Sequence, residues 1–245
     1  MKFKSYLNQF LIGLLLLISQ FIVSQKSNLY IEYKVVMSKN PENMDLNSDF
    51  GKIYLNALRS SKSLLFNLYI TDKEEYFCVN DSILSASIAS NFIKNLSGYS
   101  SPIYYDKSQN TIYEDHDDPI LGKYVLKKER KSIIWQITNE TKEIDGFLCY
   151  KAIADDVVVN SFGNFKYQLT AWFTQNIPVS SGPLGIGGLP GLILELNRRN
   201  VSFGASMIKF MDHTINSKII KPKMNKTISE DDVKKLREDF INSKD

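Results

Sequence analysis

Cysteine, histidine and tryptophan are scarce, with two of each in 245 residues. So few cysteines exclude a disulfide scaffold, and His116 and His213, about a hundred residues apart, form no HExxH zinc site. An excess of charge is lacking too: 30 Lys and Arg against 27 Asp and Glu give +3, no footprint for nucleic acid. Beyond residue 24 no apolar run approaches the roughly 20 residues that a membrane-spanning helix needs. No GxSxG elbow and no Gly-Lys-Ser/Thr phosphate loop occurs. What remains is an ordinary globular composition, 43% hydrophobic, 12% aromatic and 23% charged. It places the chain in a class and assigns no reaction.

The first residues read as a leader. Lys2 and Lys4 precede an almost continuous apolar run from Phe10 to Val23, broken only by Ser19 and Gln20. Short for a bilayer span, the run fits a secretory signal peptide over 1–24, cleaved after Ser24. No cysteine follows to carry a lipid anchor. Residues 25–245 then form one mature domain without a transmembrane helix, exported to the periplasm, the outer membrane or the exterior. In an oxidising compartment Cys78 and Cys149 permit one disulfide. The alternative is two buried thiols. Neither cysteine has the CxxC spacing of a metal site.

The mature chain is dominated by period-2 alternation. Leu29, Ile31, Tyr33, Val35 and Met37 share one face of a first strand. Phe50 to Leu58, Ser63 to Ile70 and Lys73 to Asn80 read as further strands. A hairpin is expected over Pro102 to Tyr113 with its tip at Lys107 to Asn110. Ser132 to Thr138 and Phe147 to Ala154 flank the connection NETKEIDG, and Phe165 to Thr174, Leu192 to Asn197 and Val201 to Phe210 complete the series. Short strands with brief turns predict a mainly β fold: an antiparallel, strongly curved sheet, open barrel or sandwich. Leu84, Ile88, Phe92 and Leu96 suggest one helix. A second, C-terminal helix has Ser229 as its cap, Asp232 three residues on, and a Val233, Leu236, Phe240 stripe.

Asn176 to Gly191, NIPVSSGPLGIGGLPG, stands apart, with five of the twelve glycines and three of the seven prolines. Gly188, Pro190 and Gly191 suit a structural turn: Leu189-Pro190-Gly191-Leu192 has the residues of a type II turn, with Gly191 at positive φ. The segment is no dinucleotide cradle, since the strand-like LILEL follows where a helix is needed. The run GGLPGLILEL, with AWFTQNIPVSSGP before it and ITNETKEIDGFLCYKA upstream, resembles the GLPGLI family, named for Gly188 to Ile193. The resemblance covers about Trp135 to Asn197. It implies an exported protein of a diderm bacterium and brings no catalytic residue or cofactor with it.

Two readings of the loop stand side by side. In the structural one, the turn delivers a buried strand. In the functional one, Trp172, Ile177, Pro178, Pro183, Leu184, Ile186 and Leu189 form an apolar rim for a partner or ligand. Elsewhere, Glu114, Asp115, Asp117 and Asp118 flank His116 in a predicted acidic loop that lacks the EF-hand pattern. Asp155 and Asp156 are expected in a turn and His213 at the surface. Three functions follow: a non-enzymatic interaction module for an envelope or outer-membrane protein, a carrier of a lipid or other apolar ligand, and a hydrolase with an unrecognised site. No cofactor is implied by any of them.

Overall fold

The computed structural model describes residues 28–39, 41, 45–60, 64–80, 88–160 and 163–243. The expected signal peptide, 1–24, lies outside them. Alternating sequence becomes alternating burial: in β1 (Asn28–Met37) Leu29, Ile31, Tyr33, Val35 and Met37 are all buried. β1 is followed by β2 (Leu65–Ile70), β3 (Glu74–Val79), β4 (Ile103–Asp106), β5 (Thr111–Asp118) and β6 (Gly122–Glu129). Then come β7 (Gln136–Ile144), β8 (Phe147–Asn160), β9 (Gly163–Thr174), β10 (Leu192–Arg198), β11 (Val201–Met211) and β12 (Thr227–Ser229). The helices are α1 (Asp49–Ser60), α2 (Ile88–Ser97) and α3 (Glu230–Asn242).

Among the described residues, twelve strands join one sheet in the order β12-β6-β5-β4-β3-β2-β1-β11-β10-β9-β8-β7. Every pairing is antiparallel except β12 with β6, which makes the sheet mixed. Its curvature follows from one connection. β6 and β7 lie ten strand positions apart, about 48 Å along a flat sheet. The chain from Glu129 to Gln136 reaches only about 24 Å. The sheet therefore curls until its ends approach, without closing by strand pairing. This is the curved, open architecture that the alternation predicts.

Inside the curl lies the main core. Phe66 stacks on Phe77 at 5.1 Å, with Tyr99 and Phe203 edge-on to both. Tyr54 of α1 and Ile93 of α2 are buried against it. On the outer face Tyr30, Tyr69, Tyr76, Tyr104 and Tyr113 stand in one cross-strand row from β1 to β5. Tyr76, Tyr104, Tyr113, Val125 and Ile219 form a second, smaller core beneath the segment leading to β12.

Three expectations need correction. Phe50 to Leu58 is helical, as part of α1. The Ser48 hydroxyl accepts from the Gly51 N–H at 3.0 Å, Asp49 occupies the first turn, and Gly51, Tyr54 and Ala57 are buried at helical spacing. The connection NETKEIDG belongs mostly to β7. Only Asp145 and Gly146, with φ of 49° and 78°, make the turn, the two-residue geometry that matches strand twist. The acidic stretch around His116 is no loop: it is β5, paired with β6 from Thr111 to Asp118. The C-terminal helix forms as expected, with the Ser229 hydroxyl accepting from the Asp232 N–H at 3.1 Å, yet no residue of α3 is buried.

Candidate functional site

The glycine-rich loop folds into the curl of the sheet. Ile177, Pro183 and Leu189 are buried, Trp172, Leu184 and Ile186 are half-buried, and of the expected apolar rim only Pro178 is exposed. The turn also differs from expectation. Gly191 donates its N–H to the Leu189 carbonyl at 2.8 Å, closing a three-residue turn around Pro190, while the Leu192 N–H reaches the Ile177 carbonyl at 3.0 Å. A type II turn would aim the Leu192 N–H at Leu189 instead. Gly191 is nearly extended, at φ 158°. Glycine is needed there for space: a Cβ would lie 2.0 Å from the Thr174 carbonyl oxygen. Gly188 is exposed at φ 90°, and its N–H donates to the Ser180 hydroxyl at 2.8 Å.

A buried charge network holds the loop down. Glu75 of β3 faces inward in register with Ile70 and Tyr105 and is 3% exposed. It accepts a short hydrogen bond from the Ser181 hydroxyl. Lys107 Nζ stands 3.3 Å from Oε1 and Arg130 Nη2 3.7 Å from Oε2. Burying a carboxylate is costly unless it is paired; two cations and the Ser181 hydroxyl flank Glu75, while its Oε2 and the facing Arg130 Nη2 are buried without a hydrogen bond. Arg130 also stacks over Tyr105 at 4.5 Å and donates through Nε to the Gly185 carbonyl at 2.8 Å. Trp135 Nε1 donates to the Gly187 carbonyl at 2.9 Å. Tyr33 donates to the Ile193 carbonyl at 2.6 Å, and burial followed by the Glu75 charge pushes its phenol pKa up. Sequence reading misses this network because its members lie far apart in the chain. One local signal exists: Glu75 shares a strand face with Phe77, an inward position where a carboxylate is out of place.

The loop and the strap 130–135 between β6 and β7 divide the interior into two clefts. The first, of about 850 Å3, is lined by Glu75, Tyr105, Lys107, Arg130, Pro178 and Phe210 among others. The second, of about 700 Å3, lies between β6 and β8 and includes Glu114, Lys128, Asp156, Leu184 and Arg198. Both fall in the size range of ligand pockets.

A family model described as a protein of unknown function (Porph_ging) matches residues 161–195, which include the loop. No curated protein sequence matches the chain. Among solved structures, PNGF-II in a C2 crystal form is similar over 86% of this chain, with a TM-score of 0.53 and 14% identity. PNGF-II in a P21 form matches at a TM-score of 0.48 and 12% identity, over 86% of this chain and 33% of that one. The likeness to the C2 form shows a shared fold. This chain spans 32% of that PNGF-II chain, so the fold recurs there as about a third of a longer protein.

The remaining candidate groups are dispersed. Cys78 on β3 and Cys149 on β8 lie six strand positions apart and are not bridged, so of the two readings the structure shows the unbridged one, with Cys149 buried and Cys78 half-buried. Cys149 is buried, and that burial pushes its thiol pKa up to about 11. We expect identical thermal unfolding with and without reductant, and no alkylation of Cys149 by iodoacetamide at pH 8 in the folded protein, read by mass spectrometry. His116 stacks on Tyr124 at 5.3 Å and approaches the Glu114 carboxylate at 3.4 Å. Burial pulls the Glu114 pKa up, but His116 and Lys128, the latter at 2.6 Å, outweigh it and hold the carboxyl below its usual range. His213 is exposed at the start of a short 3-10 helix. Asp155 and Asp156 lie on β8, not in a turn, and pair with Lys166 and Arg198. Among the described residues no group of three His, Cys, Asp or Glu is placed to hold a metal, and no helix is long and apolar enough to cross a membrane.

Asp118 ties the end of β5 to α3. It accepts from the Leu121 and Ile120 N–H groups and from Arg237, which together hold its pKa down to about 2. Because the folded value is depressed, its stabilising contribution is present above the ordinary carboxyl range and fades as pH falls from about 4 to about 2. A carboxyl-carbon NMR titration should find Asp118 still ionised at pH 3. Titration with the ordinary aspartates would show that the turn and Arg237 do not hold it.

Proposed function

We propose that the protein is an exported, non-enzymatic binding module of the cell envelope. One observation carries this reading: the loop 176–191 is pinned by Glu75, Arg130 and Trp135 as a fixed wall between two preformed clefts. Preformed concave surfaces suit recognition, since little ordering entropy opposes binding. Ser181, the hydroxyl that meets the buried carboxylate, is itself 1% exposed and so poorly placed to attack a substrate. The recurrence of the fold as a third of PNGF-II fits a module that works alongside other parts. Charged groups in both clefts favour a partner with polar groups over the lipid of the carrier reading.

In this proposal the signal peptide is removed after Ser24 and residues 25–245 act as one domain, with an envelope or outer-membrane protein as partner. Native mass spectrometry of the chain purified gently from its own host's envelope tests it. A stoichiometric complex with a polypeptide is expected. A bare chain mass throughout would overturn the reading, and a lipid-sized increment lost on denaturation would replace it with the carrier.

A further inference from the structure

β8 is longer than the strand that covers it. Its first half pairs with β7, whose contact ends at Gln136 opposite Ile153. Its second half pairs with β9 up to Asn160 opposite Gly163. Among the described residues no strand pairs with the other edge of 154–157. Had β7 continued in register, Trp135 to Ser132 would have lain opposite Ala154 to Val157. The chain instead leaves the strand line there and crosses to β6 as the strap. The vacated place is the second cleft, which takes in Asp155, Asp156 and Val157 on one side and Lys128 and Glu129 on the other.

An open strand edge presents a row of amide donors and carbonyl acceptors, and proteins normally blunt or cover it. Elsewhere this one is blunted: β7 carries a bulge between Ile137 and Thr141 and the charges of Glu140, Lys142 and Glu143. At 154–157 the apolar flanks are left in solvent, with Val157 57% and Ile134 91% exposed. Asp155 and Asp156 are already neutralised by Lys166 and Arg198, so the edge offers backbone groups and apolar surface more than free charge.

We propose that the open edge of β8 at 154–157 receives an extended segment of a partner polypeptide, added as a further strand in the second cleft. Backbone pairing supplies the affinity, and the partner's alternate side chains enter the cleft beside Ile112, Leu169, Leu184 and Ile186. The edge shares its cleft with the strap residues 131–134 and with Lys128 and Glu129 of β6. The inference rests on the binding-module reading and names the chemistry of the partner.

A photo-crosslinking residue placed at Val157, at Phe210 on the rim of the first cleft, and at Lys34 on the outer face of β1 tests it in the full chain within its own host. Crosslinking from 157 and not from 34 is expected, mapping to one contiguous segment of a partner. That segment, synthesised as a peptide, should slow hydrogen exchange by about tenfold or more at those amides of 154–157 that point away from β9, and Val157→Lys should weaken its binding by about tenfold without altering the far-UV spectrum. Crosslinking from 210 alone would overturn the edge and leave the module reading standing. Silence from both 157 and 210 would overturn both. Crosslinking to a second copy, or peptide binding without protection of 154–157, would also sink the edge proposal.

Discussion

Gly191→Ala is expected to destabilise the protein by about 3 kcal/mol, nearly as much as Gly191→Val. The new Cβ would sit 2.0 Å from the Thr174 carbonyl oxygen and 2.7 Å from its carbon. These are backbone atoms of β9, held by pairing with β10 and unable to step aside. For a domain of this size the loss corresponds to a fall in Tm of roughly 6–12 °C, measurable by circular dichroism. The near-equality of alanine and valine is the telling part. Were glycine wanted only for conformational freedom, alanine would cost about 1 kcal/mol and valine distinctly more. A small effect of Gly191→Ala would mean that the loop and β9 are not so closely apposed.

Glu75→Ala should be comparably severe. The carboxylate is 4% exposed, and its removal leaves Arg130, 13% exposed, and Lys107, 25% exposed, facing each other with no counter-charge. Breaking a buried pair from one side costs about 3–5 kcal/mol, because the penalty of the stranded charge is added to the lost attraction. Urea unfolding of Glu75→Ala, Arg130→Met and the double variant would read it. The double variant should be less destabilised than the sum of the singles, by about 1–3 kcal/mol. Additive effects would show that Glu75 and Arg130 act independently, and an effect of Glu75→Ala below about 1 kcal/mol would show that the network does not hold the loop.

Much of the sheet was legible because burial on one face writes itself into alternate residues. Leu169, Ala171 and Phe173 of β9 are buried as their spacing predicts, and Ser229 caps α3 as its spacing to Asp232 predicts. Where apolar residues are few, the pattern misleads. Tyr54 and Ala57 of α1 mark a helix only when the Ser48 cap is given weight over the β-like run around them. The carboxylates of β5 resemble a solvated loop because their partners, Lys128 and Arg237, lie elsewhere in the sequence. The loop 176–191 was visible from its glycine and proline content. Its contents were not: Ser181 meets Glu75 from 106 residues away and Arg130 meets Gly185 from 55. Only the folding of the loop and the strap onto the sheet brings them together, and that placement is set by the whole chain.

The central pairing of β1 with β11 bears on when this molecule becomes a molecule. Asn28 pairs with Met211 and Met37 with Val201, so the middle of the sheet is built from segments more than 160 residues apart. Such distant pairing must close a long loop before it returns any contact energy, which slows folding. A chain emerging from the ribosome holds β1, with its five buried apolar side chains, while the ten strands from β2 to β11 are made. The centre of the sheet therefore closes only late in synthesis, and until then the apolar face of β1 lacks its β11 partner and is exposed to aggregation.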